Sequence, residues 1–215
     1  MLNLVFDFGA VLFTWQPAVL MRKHFPAQAS TARQAAELAA AVFGHTHWHE
    51  FDRGVVSAQE VCSSTSERLG LDTQAFGRLI DDIADHLQPM PETLALLTQL
   101  CSLRERESDQ IRLYFLSNMP VPYARVLERK HGFLQWFDGG VFSGDVQCIK
   151  PDAKLFALLE RQYGLTPANT LLIDDLAANV AGARACGWQG IVFESAPQLR
   201  AQLQWVLPAD LNLPA

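Results

Sequence analysis

Three short apolar runs in this chain each end in residues able to do chemistry. Asp7 follows Leu4-Val5-Phe6, Ser117-Asn118 follow Ile111 to Leu116, and Asp174-Asp175 follow Thr170 to Ile173. Lys150 stands between the second and third runs, directly before Pro151. The set amounts to a carboxylate nucleophile, a hydroxyl with adjacent backbone N–H groups, an ammonium and an acidic pair. Asp7 and the acidic pair would repel one another unless a cation sat between them. Oxygen ligands completed by substrate phosphate make a Mg²⁺ site. Lys150 and Ser117 would then hold the remaining phosphate oxygens as charge develops. Taken alone, Asp7 also fits a turn or N-cap.

These residues need strands to bring them together. Leu4 to Phe6 suits a strand buried on both faces, and Gly9 allows a sharp turn just beyond Asp7. After residue 90, apolar strand runs alternate with amphipathic helical runs. Helices are expected over Glu92 to Leu103, residues 121 to 131, Ala153 to Tyr163 and Ala177 to Cys186. Strands are expected at Ile111 to Leu116, Val141-Phe142, Thr170 to Ile173 and Gly190 to Phe193. That alternation implies βαβ units, a parallel sheet and an α/β fold. Arg104 to Gln110 reads as a solvated charged loop. Crossovers of one hand bring the carboxyl ends of parallel strands to one edge, where open α/β sheets bind ligands.

Between Thr14 and Met90 the pattern is helical throughout. The Ala-rich run to Phe43, a capping-box spacing from Ser57 to Glu60, and Asp72 or Thr73 as a further cap predict four or five helices. The expected division is a core of residues 1–14 and 89–215 with residues 15–88 inserted as a helical unit.

The whole chain sets outer bounds. It has 215 residues, 49% of them hydrophobic, and a formal net charge of -6. No Lys/Arg block is present, so no nucleic-acid partner and no anionic membrane surface is expected. Cys62, Cys101, Cys148 and Cys186 are widely spaced and read as reduced, buried small hydrophobes. No apolar run reaches membrane-spanning length and no leader pattern opens the chain. A cytoplasmic protein, monomeric or homodimeric, is expected.

The motifs resemble those of the haloacid dehalogenase superfamily. They are Phe6-Asp7-Phe8-Gly9-Ala10-Val11-Leu12, Phe115-Leu116-Ser117-Asn118, Ile149-Lys150-Pro151, and Leu172-Ile173-Asp174-Asp175 with Asn179. Each is weak alone, but four in this order are specific. The resemblance implies a Rossmann-like core with an inserted helical cap. Within the superfamily the chain resembles bacterial phosphatases of the α-D-glucose-1-phosphate phosphatase type, including the cap segment His49 to Ser57 with Arg53-Gly54. It implies Asp7 as nucleophile, Ser117 and the Asn118 N–H on the phosphate, and Lys150 bridging nucleophile and phosphate. It implies Mg²⁺ held by Asp7, the Gly9 carbonyl and Asp175, with Asp174 a second ligand or an outer-shell partner; separately, the four-residue spacing lets a helix place Asn179 beneath Asp175 as an outer-shell support. The substrate is then a small phosphorylated metabolite, a sugar phosphate first, hydrolysed through an aspartyl-phosphate. The alternatives are a dehalogenase-type hydrolase acting on carbon and a phosphate-binding protein without turnover.

One departure matters. Most phosphatases of the superfamily carry a second Asp where this chain has Gly9, and that Asp protonates the leaving group. Without it, substrates with acidic leaving groups should be favoured, a sugar 1-phosphate above a 6-phosphate. Alternatively His49 or Glu50 from the cap, or a water, supplies the proton. His45, His47 and His49 with Glu50 and Asp52 also raise a zinc reading, but a solvated or substrate-facing segment fits better. Arg53 either selects substrate or pairs with Asp52 or Glu50. Trp15 and Phe13 either line the pocket or pack cap against core.

Overall fold

β1, Leu2–Phe6, is apolar at four of its five positions, and all five residues are buried. In the computed structural model, which describes residues 1–107, 110–208, 211 and 213, it is the central strand of a five-stranded sheet. The others are β2 (Ile111–Ser117), β3 (Gly139–Phe142), β4 (Thr170–Asp174) and β5 (Gln189–Val192). Their order is β3-β2-β1-β4-β5 and every pairing is parallel. The fold is α/β of Rossmann type.

Side-chain alternation gives the central strands β1 and β4 two buried faces. Leu4 and Phe6 join the larger core cluster, while Val5 joins the smaller one with Leu116, Leu172 and Phe156. The smaller cluster is covered by α9 (Ala153–Tyr163) and α10 (Ala177–Ala185). The larger is covered by α6 (Pro91–Arg106) and α11 (Ala196–Val206), with α7 (Val121–Lys130) and the short α8 (Ser143–Val146) joining β2 to β3 and β3 to the Lys150 turn.

Five helices lie between β1 and α6. They are α1 (Pro17–His24), α2 (Ala32–Phe43), α3 (Thr46–Asp52), α4 (Ala58–Leu69) and α5 (Thr73–His86). Local chemistry sets their ends. Ser57 and Glu60 form the expected capping box, Thr31 and Gln34 form another, and Asp72 accepts from the Ala75 N–H. Pro91 occupies the first turn of α6. Gly164 closes α9 at φ 68°.

Two expectations need correction. Arg104 to Gln110 is not a loop from its start, because α6 runs to Arg106. Arg104 donates to the Trp136 carbonyl at 2.5 Å and pairs with Asp138 at 3.1 Å, which holds this turn against the segment before β3. Ser108 and Asp109 lie outside the described residues. Of the four free cysteines only Cys101 is buried. Cys62 lies within α4, Cys148 in the turn before Lys150 and Cys186 at the α10 C-cap, and each keeps some solvent contact. Among the described residues no helix is long and apolar enough to cross a membrane.

Candidate active site

The strand order reverses between β1 and β4, and open α/β sheets place their ligand crevice at such a reversal. Asp7 leaves β1 and Asp174-Asp175 leave β4 at that edge, while Ser117-Asn118 end the neighbouring β2. Oxygen atoms of Asp7, Asp174 and Asp175 lie within 4.8 Å of one another.

Lys150 is the cation set among them. Its side chain is fully buried, and its Nζ lies 3.0 Å from Asp7 Oδ1 and 2.6 Å from Asp174 Oδ2, while donating to the Leu116 carbonyl at 2.6 Å. The residue is fixed from its backbone. Its N–H donates to Asn118 Oδ1 at 2.8 Å, and its carbonyl accepts from Asn118 Nδ2 at 3.1 Å. Asn118 therefore locks the Lys150 turn to the end of β2. The peptide between Lys150 and Pro151 is cis.

The electrostatics show excess negative charge. Burial raises the Asp7 carboxyl, Lys150 opposes this, and Asp174 and Asp175 raise it further, to about 7. Asp175 is raised by burial and then by Asp174 to about 6. Burial pulls the Lys150 ammonium down, but Asp174 and Asp7 outweigh it and leave its pKa above the ordinary value. One ammonium does not neutralise three clustered carboxylates, and the donor set is all oxygen. Both facts fit a hard divalent cation such as Mg²⁺.

The acidic pair divides its work differently from the expectation. Asp174 is fully buried and accepts from Asn179 Nδ2 on both oxygens, at 3.0 and 3.1 Å, and from the Leu176 N–H at 2.9 Å. Asn179 thus supports Asp174 rather than Asp175. The reason is the first turn of α10, which turns Asn179 back toward the end of β4. Asp175 is half-buried and lines the cavity.

That cavity holds about 220 Å³ and opens over Asp7, Gly9, Ser117, Asn118 and Asp175. Its upper wall comes from the inserted helices: Trp15 just before α1, Phe43 of α2, Trp48, His49 and Asp52 of α3, and Ile83 of α5. Trp15, Phe43 and Trp48 stack edge-on in sequence, with centroids 4.9 and 4.6 Å apart. Phe13 does not reach the cavity; it is buried against Phe133 at 5.5 Å.

The other sequence candidates separate. His49 lines the cavity, whereas Glu50 and Arg53 do not. Among the described residues Arg53 makes no ion pair with Asp52 or Glu50, and its Nε is buried without a hydrogen-bond partner. His45 caps α3 by accepting from the His47 N–H, and His47 bonds Ser64 Oγ at 2.6 Å. Among the described residues this histidine run supplies no three-ligand group of the kind that Asp7, Asp174 and Asp175 make. Asp52, which the sequence offers only within the solvated or substrate-facing histidine segment, lines the cavity, and so does Tyr123, which no sequence motif marks.

A haloacid dehalogenase-like hydrolase family model matches residues 11–187. The chain belongs to the haloacid dehalogenase-like hydrolases. It is 26% identical over 188 residues, 87% of each chain, to the sesquiterpene phosphatase astK of Aspergillus oryzae. The HAD family enzyme bt-2542 of Bacteroides thetaiotaomicron, solved in complex with magnesium and inorganic phosphate, matches at a TM-score of 0.67 and 18% identity, over 93% of this chain and 98% of that one. L-2-haloacid dehalogenase from Xanthobacter autotrophicus matches at 0.65 and 19%, over 99% and 84%. At these identities the solved structures carry the fold of this hydrolase and not its substrate.

Proposed function

We propose that this hydrolase is a Mg²⁺-dependent phosphomonoesterase acting on a small organic phosphate through an aspartyl-phosphate on Asp7. The observation that carries the reading is the trio Asp7, Asp174 and Asp175 closed around one buried ammonium, a donor set for a divalent cation and a phosphate. Attack by Asp on carbon needs no such acidic cluster, so the dehalogenase alternative is less well supported. The phosphatase relative and the magnesium–phosphate complex of bt-2542 agree with this.

In this reading an Asp7 carboxylate oxygen attacks phosphorus and the leaving oxygen departs, dividing the displacement into two steps. Ser117 and the Asn118 N–H hold phosphate oxygens, and Lys150 holds both nucleophile and phosphate. Asp7, the Gly9 carbonyl and Asp175 would hold Mg²⁺, which neutralises the nucleophile and phosphate so that they can approach. Asp174 orients Lys150 and Asn179 from behind. Residues 15–88 act as the cap that selects substrate, over a core of residues 1–14 and 89–215.

The resemblance to phosphatases of the α-D-glucose-1-phosphate phosphatase type implies a sugar phosphate. The wall of Trp15, Phe43, Trp48 and Ile83 favours an organic group with an apolar body, such as a terpenyl or alkyl phosphate. A panel holding both classes, with phosphate release measured with and without Mg²⁺, tests the reading. Mg²⁺-dependent release with terpenyl phosphates above sugar phosphates is expected. Chloride release from 2-haloacids without Mg²⁺ would establish the carbon hydrolase instead, and phosphate binding without any release would establish the non-catalytic alternative.

A further inference from the structure

Gly9 leaves the first motif without a proton donor, and the absence is not enforced by packing. A Cβ built at Gly9 would meet nothing nearer than Trp15 Cβ at 3.9 Å. An alcohol with an apolar body is a poor leaving group, so its phosphate ester needs a proton delivered as the P–O bond breaks. We propose, resting on the phosphomonoesterase reading, that Asp52 of the inserted helices is the general acid and base of this site.

Asp52 ends α3 and lines the same cavity as Asp7 and Gly9, from the opposite wall. It makes no ion pair among the described residues. Its backbone is pinned to the core at two points. Ser143 Oγ donates to the Asp52 carbonyl at 2.5 Å and accepts from the Met119 N–H at 2.8 Å, two residues beyond Ser117. Two residues after Asp52, Gly54 has φ 76° and approaches so closely that an added Cβ would lie 2.5 Å from the Gly144 carbonyl oxygen. The segment carrying Asp52 therefore meets the β2 and α8 side of the cavity through backbone contacts.

The protonation state suits the task. Burial pushes the Asp52 carboxyl well above the ordinary carboxylate range, and the charge of Asp7 pushes it further. That direction favours the protonated form, the form a leaving-group acid must start from. Other donors on this wall are less suited. The Tyr123 hydroxyl donates to the Ile80 carbonyl at 3.0 Å, and burial, Asp52 and Asp81 all raise its pKa. Glu50 does not line the cavity, and His49 is an exposed residue at its rim.

The proton balance closes over one cycle. As the Asp7 oxygen bonds to phosphorus and the P–O bond to the leaving group breaks, Asp52 gives its proton to that oxygen and the alcohol leaves. Asp52, now a carboxylate, takes a proton from the water that attacks the aspartyl-phosphate. The bond from phosphorus to Asp7 breaks, inorganic phosphate leaves, and both carboxyl groups return to their starting states.

The test is a first-turnover series on substituted phenyl phosphates with Mg²⁺, following phenol release. Wild-type protein should show a shallow dependence on leaving-group pKa. Asp52→Asn should lose roughly 10²- to 10⁴-fold on phenyl phosphate, the usual worth of a general acid, and far less on 2,4-dinitrophenyl phosphate, so that its series steepens. With the dinitrophenyl ester the variant should also accumulate phosphorylated Asp7, because the base for the second step is gone. A uniform loss across the series would make Asp52 merely structural, and no loss would make it irrelevant; either overturns the proposal. A steep wild-type series overturns it without any variant, so the test survives a variant that fails to fold. If wild-type protein releases no phenol from any ester, the phosphomonoesterase reading itself fails, which separates the two outcomes.

Discussion

Asp174 has both carboxylate oxygens engaged by Asn179, Leu176 N–H and Lys150, whereas Asp175 faces the cavity. The two should therefore fail differently. Asp175→Ala should raise the Mg²⁺ concentration for half-maximal activity while leaving the melting temperature nearly unchanged. Asp174→Ala should lower stability and disturb Lys150. Metal titrations beside thermal melts check this, and a larger Mg²⁺ defect in Asp174→Ala would reverse the assignment. Lys150→Ala leaves Asp7 and Asp174 facing each other in the interior with no cation between them. Breaking a buried ion pair from one side costs about 3–5 kcal/mol, so urea denaturation should show a loss of that order, with Mg²⁺ restoring part of it. The strand-end carboxylates, Ser117 and Lys150 could be picked out in the sequence because apolar runs end at them or a proline follows. The partner of Asn179 could not, since spacing places it near both acidic residues and only the turn into α10 decides between them.

At the scale of elements, the contact that matters joins the end of α3 to the start of α8. Gly54 is required there by backbone conformation and by space, since φ 76° strains any side chain and the Gly144 carbonyl fills the Cβ position. Gly54→Ala should push the Asp52 segment off the core. Its activity loss should be greater on phenyl phosphate than on 2,4-dinitrophenyl phosphate, with a circular dichroism spectrum close to wild type. An equal loss on both esters would show that this contact does not serve the acid. The helices were readable wherever caps were local: the Ser57 to Glu60 box, Asp72, Pro91 and Gly164 all act where their spacing indicates. The end of α6 was not, because Arg104 is held by Asp138 and the Trp136 carbonyl, more than thirty residues away in the chain. Nor was the Ser143 to Asp52 contact, which spans 91 residues and follows no local pattern.

At the scale of the molecule, the sheet places three clustered carboxylates on one side of a cavity and the inserted helices place an apolar wall and one acid on the other. The βαβ pattern implies a parallel sheet with its strand ends at one edge, so the lower half of the site was legible. The upper half depends on how five helices pack over the sheet edge, which periodicity does not encode. The claim that unites both halves is that Asp7 becomes phosphorylated. Its most direct measurement is mass spectrometry of the Asp7 peptide after acid quench, early in turnover of an organic phosphate with Mg²⁺. A single added phosphoryl group on Asp7 is expected, formed and lost fast enough to account for turnover and absent from Asp7→Asn, which should release no phosphate. Sustained phosphate release by verified Asp7→Asn protein, or a phosphoryl group found on another residue during turnover, would contradict it.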